Sequence, residues 1–200
     1  YEARAFGVRS AMPCSQAGRL CPAAVFVRPR IAHYKDIALR IGEHFQAVSE
    51  TVEPMSIDEA YLEVPPRTPD PDRALDDALP LAQALKRQIY LDLELTCSIG
   101  IAPNKFLAKL ASGHQKPNGI TRVYESAKRA FLAPLPIERM HGVGPATART
   151  LRSLGIQSIG DLQAWNQSRL PGFSLTSGAR LIELAQGIDA RPLESGDAVK

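Results

Sequence analysis

The stretch Ser56-Ile57-Asp58-Glu59-Ala60-Tyr61-Leu62-Glu63 decides how this chain is read. Two adjacent acids on a regular strand point to opposite faces, so they serve one ion only where a tight turn or hairpin tip reorients one of them. The flanks are what a half-buried hairpin needs: Met55 and Ile57 before the acids, Leu62 and Val64 after. Val52 to Val64 is therefore predicted as two short strands around a turn, with the Asp58 and Glu59 carboxylates facing a common site. Mg²⁺ is a hard cation that accepts carboxylate oxygens, keeps several waters and binds through a few acids plus substrate phosphates. A bare Asp-Glu pair is in most proteins only a solvated turn. The rest of the chain has to decide between the two.

Working outward, residues 1–31 mix Gly, Pro and Arg with short apolar runs and show no long helical pattern. Ile37, Ile41, Phe45 and Val48 recur at helical spacing, which predicts a helix over Tyr34 to Val48. Pro65 to Pro71 is proline-rich and reads as a loop. A helix is expected from about Leu79 to Leu91, with Leu81, Leu85 and Ile89 on one face. Its start is set near Pro80, which suits a first turn and breaks an interior. Leu95 to Ala102 reads as a strand. Asn104 to Ser112 reads as a helix with Phe106, Leu107 and Leu110 inward and Lys105 and Lys109 together on the other, solvated face. A turn at Lys116-Pro117-Asn118-Gly119 leads into a strand from Ile120 to Val123. Glu125 to Gly187 reads as short helices divided by Gly and Pro, so a domain boundary is placed near Tyr124. Neither an internal repeat nor a low-complexity tract is legible.

The bulk properties are those of an ordinary globular chain: 200 residues, 44% hydrophobic, 22% charged. No stretch approaches the roughly 18 apolar residues of a membrane span, and nothing resembles a signal peptide. The start, Tyr1-Glu2-Ala3-Arg4, reads as mid-protein. Cys14, Cys21 and Cys97 lack C-x-x-C spacing and nearby His partners, which argues against zinc and fits reduced thiols in a bacterial-type cytoplasm. His33, His44, His114 and His141 are dispersed and suggest no catalytic arrangement. The net charge is +3, but its distribution is uneven. Lys105, Lys109, Lys116, Arg122, Lys128, Arg129, Arg139, Arg149 and Arg152 face only Glu125 and Glu138 in their stretch, whereas Glu50 to Glu94 is acidic. That pattern suits a protein holding a polyanion beside a carboxylate cluster. On charge alone, an unevenly charged solvated surface is the better reading.

Two further segments carry chemistry. Cys97-Ser98-Ile99-Gly100-Ile101-Ala102-Pro103-Asn104-Lys105 continues through Phe106, Leu107, Ala108 and Lys109 to Lys116-Pro117-Asn118-Gly119-Ile120. His141-Gly142-Val143-Gly144-Pro145, with the apolar pattern that follows it, resembles a helix-hairpin-helix. Its glycines permit a positive-φ turn and expose backbone N–H groups, and the next helix N-terminus favours an anion. Gly142, Val143 and Gly144, with Arg149 and Arg152 on the following helix, are the candidate contacts to DNA phosphates, made without regard to sequence.

Together these segments resemble the Y-family (translesion) DNA polymerases. The octapeptide matches the family's SIDEAYLD/E signature, the second run matches S-x-G-I-x-x-N-K-x-x-A-K…K-P-N-G-I, and the start matches Y-E-A-R-x-F-G-V-x-x-x-M. The resemblance covers roughly 1–190 and is specific because several motifs occur in order. It implies an α+β fold, in which a polymerase palm of mixed α/β sheet with helices precedes a small all-α thumb containing the helix-hairpin-helix. The implied divisions are the rear of the fingers (1–31), the palm (32–123), the thumb (124–190) and the start of a linker to a little-finger domain (191–200).

The resemblance also implies the chemistry. Asp58 and Glu59 become catalytic metal ligands, and Tyr1, Arg4 and Lys116 bind the incoming nucleotide's phosphates, Arg through its planar fork. Two Mg²⁺ ions roughly 3.5–4 Å apart would assist primer 3′-hydroxyl attack and pyrophosphate departure. The partners implied are primer–template DNA and dNTP, with a sliding clamp reached through further C-terminal regions as a candidate, and no membrane. The family's first metal-binding Asp and its ribose-gating aromatic belong upstream of Tyr1, so these residues alone are expected to be inactive. The competing readings are a non-catalytic, polymerase-like DNA-binding accessory subunit and a plain helix-hairpin-helix module. The first is expected to lose the acids, and the second leaves the first 120 residues unexplained.

Overall fold

The structure is a computed structural model that describes residues 1–167 and 169–196. The last four positions of the predicted linker, 197–200, lie outside the described residues. Contacts divide the chain into two units, Tyr1–Tyr34 and Lys35–Lys200. The first holds α1 (Glu2–Ala5), α2 (Cys14–Leu20) and the beginning of α3 (Ile31–Gln46). α3 starts three positions before the expected helix, and the face bearing Ile37, Ile41 and Phe45 is the half-buried one.

In the second unit β1 (Val52–Pro54) and β2 (Ala60–Leu62) pair antiparallel, with Glu53 opposite Tyr61. The hairpin is pinned at its base by buried Ser49, whose hydroxyl donates to the carbonyls of Thr51 (2.8 Å) and Glu63 (2.6 Å). α4 (Pro71–Leu93) is far longer than expected, and Pro80 sits inside it. Two features make this possible. Asp70 caps the true start, accepting from the N–H groups of Asp72 and Arg73, with Pro71 in the first turn. Pro80 lies on the exposed side of the helix, and its cost of about 3 kcal/mol is offset by burial of Leu75, Ala82, Leu85 and Ile89 on the opposite face.

β3 (Ile99–Ile101) and β4 (Ile120–Arg122) pair parallel, linked by α5 (Lys105–His114). The expected strand from Leu95 shrinks to β3, because Glu94 ends α4 in a left-handed conformation (φ 55°) and the Cys97 carbonyl accepts from Lys86 rather than from a ladder. A Cβ at Gly100 would lie 2.1 Å from the Ala108 carbonyl oxygen, so glycine there is what lets β3 press onto α5. Asn104 caps α5 through Leu107 N–H (3.0 Å).

The remainder is helical: α6 (Lys128–Leu132), a 3-10 turn (Ile137–Arg139), α7 (Pro145–Ser153), α8 (Ile159–Gln163) and α9 (Leu175–Ala185). One core joins Phe106, Leu107 and Leu110 of α5 to Leu132, Ile137, Leu151, Ile159, Leu162 and Leu184, so it spans the predicted boundary at Tyr124. A smaller cluster packs α4 against β3 and β4 through Leu75, Ala82 and Ile101.

The structure also contains a repeat that is not legible from the sequence pattern alone. Met140 and Val143 close a turn (3.0 Å) over Gly142 at φ +90°, and Leu170 and Phe173 close the same turn (3.2 Å) over Gly172 at φ +83°. α7 and α9 follow these turns. Each helix then ends in a matching bond, Ile156 N–H to the Leu151 carbonyl and Ile188 N–H to that of Glu183. Glycine recurs at 142 and 172 and Gly-Ile at 155–156 and 187–188, but α9 is 11 residues long against 9 for α7, and this change of register hides the match in the sequence.

Candidate active site and nucleic-acid interface

The acid pair stands where the apolar flanks put it, at the hairpin tip. The tip closes on the Glu59 carbonyl, which accepts from Met55 N–H (2.8 Å) and Ser56 N–H (3.1 Å). The Ser56 hydroxyl donates to Asp58 Oδ1 at 2.7 Å and orients that carboxylate, which is exposed. Asp58 and Glu59 line one small cavity of about 70 Å³, walled on the other side by Ala38, Ile41 and Phe45 of α3. Among the described residues no three His, Cys, Asp or Glu side chains gather as a metal cluster. The donor set at the tip is therefore two carboxylates.

The expected wet face of α5 is largely covered by the hairpin. Lys105 is buried, and its ammonium contacts both Glu53 oxygens (2.8 and 2.6 Å) and the Pro192 carbonyl (3.0 Å). One turn on, Lys109 forms an ion pair with Glu59. Both lysines face the hairpin because α5 buries Phe106, Leu107 and Leu110 on its other side. The i, i+4 spacing of the lysines was legible, but their acidic partners lie on a distant hairpin. Lys116 follows the end of α5, exposed and without an ion-pair partner among the described residues. Its turn is held by Lys86, which donates to the Asn118 carbonyl (2.9 Å) and Oδ1 (2.5 Å). In the first unit, the Arg4 guanidinium stacks over the Tyr1 ring (4.9 Å to the centroid), and both side chains are exposed.

Sequence reasoning also missed Asp189. Its side chain is fully buried, accepting from Arg180 (2.5 Å), Arg191 (2.7 and 2.8 Å) and the Phe106 N–H at the start of α5 (3.2 Å). Burial works to raise its pKa, but the bonds from Arg191 and Arg180 outweigh this and hold the carboxyl well below the usual range. Arg191 to Glu194, read as the start of a linker, is hydrogen-bonded to Asp189, Lys105 and Glu53.

At the helical hairpin, Gly142 takes the left-handed conformation while Gly144 does not (φ −80°). Val143 is buried, and its N–H closes the turn. Gly144 is the N-cap of α7 and brings no side chain to cap it, which leaves the first-turn N–H groups open to a ligand. Arg149 is exposed; Arg152 pairs with Glu138 at 2.6 Å. Both arginines line an open hollow of about 450 Å³ with Val143, Pro145 and Ala148.

An acidic hairpin tip backed by a lysine-bearing helix, followed by a helical hairpin with an open N-terminus, defines an α+β palm-and-thumb fold of the polymerase class. The chain belongs to the impB/mucB/samB family, the Y-family polymerases: that family matches residues 1–113, and the IMS family HHH motif matches 125–156. It is 45% identical over 193 residues to DNA polymerase IV of Halorhodospira halophila and 42% identical over 194 residues to that of Clostridioides difficile. These matches cover 96% and 97% of this chain but 53% and 52% of the relatives, so the chain spans about half their length. Among solved structures, it is similar to a DinB family error-prone DNA polymerase from Sulfolobus solfataricus (TM-score 0.84, 32% identity, covering 98% of this chain and 58% of that one). An insertion ternary complex of Dbh DNA polymerase gives TM-score 0.81 at 33% identity, covering 97% of this chain and 56% of that one.

Proposed function

We propose that this chain supplies the rear of the fingers (1–31), the palm (32–123) and the thumb (124–190) of a translesion DNA polymerase. The activity is template-directed nucleotidyl transfer from dNTP to a primer 3′-hydroxyl, past damaged bases. The observation that carries this reading is the Asp58–Glu59 pair on one cavity at a hairpin tip, in a chain of this family. A non-catalytic accessory subunit has no use for that pair.

The tip fits a divalent ion in kind, since it offers two hard oxygen donors and Asp58 is open to solvent. Mg²⁺ held there would neutralise charge on the attacking hydroxyl and the departing pyrophosphate. Two carboxylates are a poor cage for two such ions; in this proposal the further acid is the one that the family resemblance assigns upstream of Tyr1, and residues 1–200 by themselves are expected not to sustain extension. Ser56 orients the Asp58 carboxylate. Tyr1 and Arg4, and separately Lys116, contact nucleotide phosphates; Lys116 is the exposed cation in the turn that follows α5. The N–H groups at Gly144 and the start of α7, with Arg149 and Arg152, bind duplex phosphates, while Gly142 and Val143 shape that turn.

Two of the solved neighbours are ternary complexes of Dbh polymerase, which supports primer–template DNA and dNTP as partners. A sliding clamp, met through further C-terminal sequence, completes the proposal. No helix among the described residues is long and apolar enough to cross a membrane, and the cytoplasm is the proposed location. The test is primer extension by the full-length protein and its Asp58→Ala variant across a range of Mg²⁺. Loss of addition with DNA binding retained is expected; near-normal addition overturns the assignment.

A further inference from the structure

α5 sends two lysines to the hairpin, and they are built differently. Lys105 and Glu53 are 8% and 15% exposed, with Lys105 bonded additionally to a backbone carbonyl. Lys109 and Glu59 are 30% and 39% exposed, and Glu59 is the sole protein partner of the Lys109 ammonium among the described residues. A buried, multiply bonded ion pair is an anchor, because breaking it strands a charge away from water. A partly exposed pair separates more readily, because water reaches both ends. The second pair holds one of the two acids that the proposed function assigns to metal.

We propose that Lys109 is a positioning residue that occupies the Glu59 carboxylate when no divalent ion is bound, and is displaced when one binds. The inference rests on the reading of Asp58 and Glu59 as metal ligands. The ammonium balances the charge of adjacent acids and holds Glu59 toward α5, so the empty tip neither splays nor repels itself. An incoming cation competes with Lys109 for the same oxygens, so site affinity is set partly by the lysine. Because α5 is clamped by its buried face and by Lys105, the Lys109 side chain moves and the helix does not.

The experiment uses the full-length protein bound to a dideoxy-terminated primer–template, with Mn²⁺ as probe and free Mn²⁺ followed by electron paramagnetic resonance. Wild type is compared with Lys109→Met, Lys109→Arg and Asp58→Asn, with Lys109→Gln replacing the Met variant if that does not fold. Removing the competitor should tighten Mn²⁺ binding by about fivefold, as expected for a partly exposed pair. The Arg variant should stay near wild type, and Asp58→Asn should bind more weakly. If Asp58→Asn weakens binding while Lys109→Met leaves it unchanged or weakens it, the pair is an ordinary surface contact. The inference then fails while the metal-site reading stands. If Asp58→Asn binds Mn²⁺ as wild type does, the metal-site reading itself fails.

Discussion

Lys105 on α5 and Glu53 on β1 form a buried ion pair, with the ammonium 2.6 and 2.8 Å from the two carboxylate oxygens. Burial works to raise the Glu53 pKa, but the Lys105 bond and the Glu194 N–H outweigh it and leave the carboxyl below its ordinary value. A depressed carboxyl stabilises the fold above its unfolded pKa and loses that contribution as pH falls toward the folded one. Lys105→Met, which strands Glu53, should cost about 3 kcal/mol at neutral pH. The deficit relative to wild type should shrink below about pH 4.3, as read from urea unfolding at several pH values.

Asp189 has the same sign of pH dependence. Asp189→Asn keeps the shape but loses the charge facing Arg180 and Arg191, and should destabilise by about 2–3 kcal/mol at pH 7. The gap from wild type should close as pH falls below about 4. Equal melting temperatures at neutral pH would show that the buried carboxylate is not what ties 187–191 to α5.

Gly142 and Gly144 are distinguishable. At φ +90° a side chain is strained by roughly 1–2 kcal/mol, so Gly142→Ala should weaken both stability and duplex binding. Gly144, at φ −80° with open space where a Cβ would stand, should tolerate Ala with a smaller loss, measurable by thermal melting and DNA titration.

Arg149 has no ion-pair partner among the described residues, whereas Arg152 is shared with Glu138. Arg149→Ala should reduce the slope of log K against log salt by about 1, with little dependence on DNA sequence. Arg152→Ala should change it less. A neutral Arg149→Ala at every salt concentration would return the residue to the solvated surface.

Lys116→Ala and Arg4→Ala in the full-length protein should raise the KM for dNTP more than the Kd for DNA. Steady-state extension and DNA titration on the same preparations separate the two.

What the sequence by itself determined are features set by neighbours in the chain. The apolar flanks of Asp58–Glu59 place the acids at a tip, since strand side chains alternate with a period of two residues. Phe106, Leu107 and Leu110 mark the inward face of α5, and Asn104 marks its start. Tertiary structure decided the rest. The cost of Pro80 inside α4 is tolerated because the helix buries Leu75, Ala82, Leu85 and Ile89 on its other face, and that packing is a tertiary property. Lys105 and Lys109 have the spacing of a wet face until a hairpin some 50 positions earlier supplies Glu53 and Glu59. The basic stretch loses Lys105, Lys109 and Arg122 to acids of the 50–94 segment, so its charge is partly neutralised within the fold. Local patterns follow from backbone periodicity, which every residue obeys; the partner of a charge depends on which distant side chain the packing brings within reach.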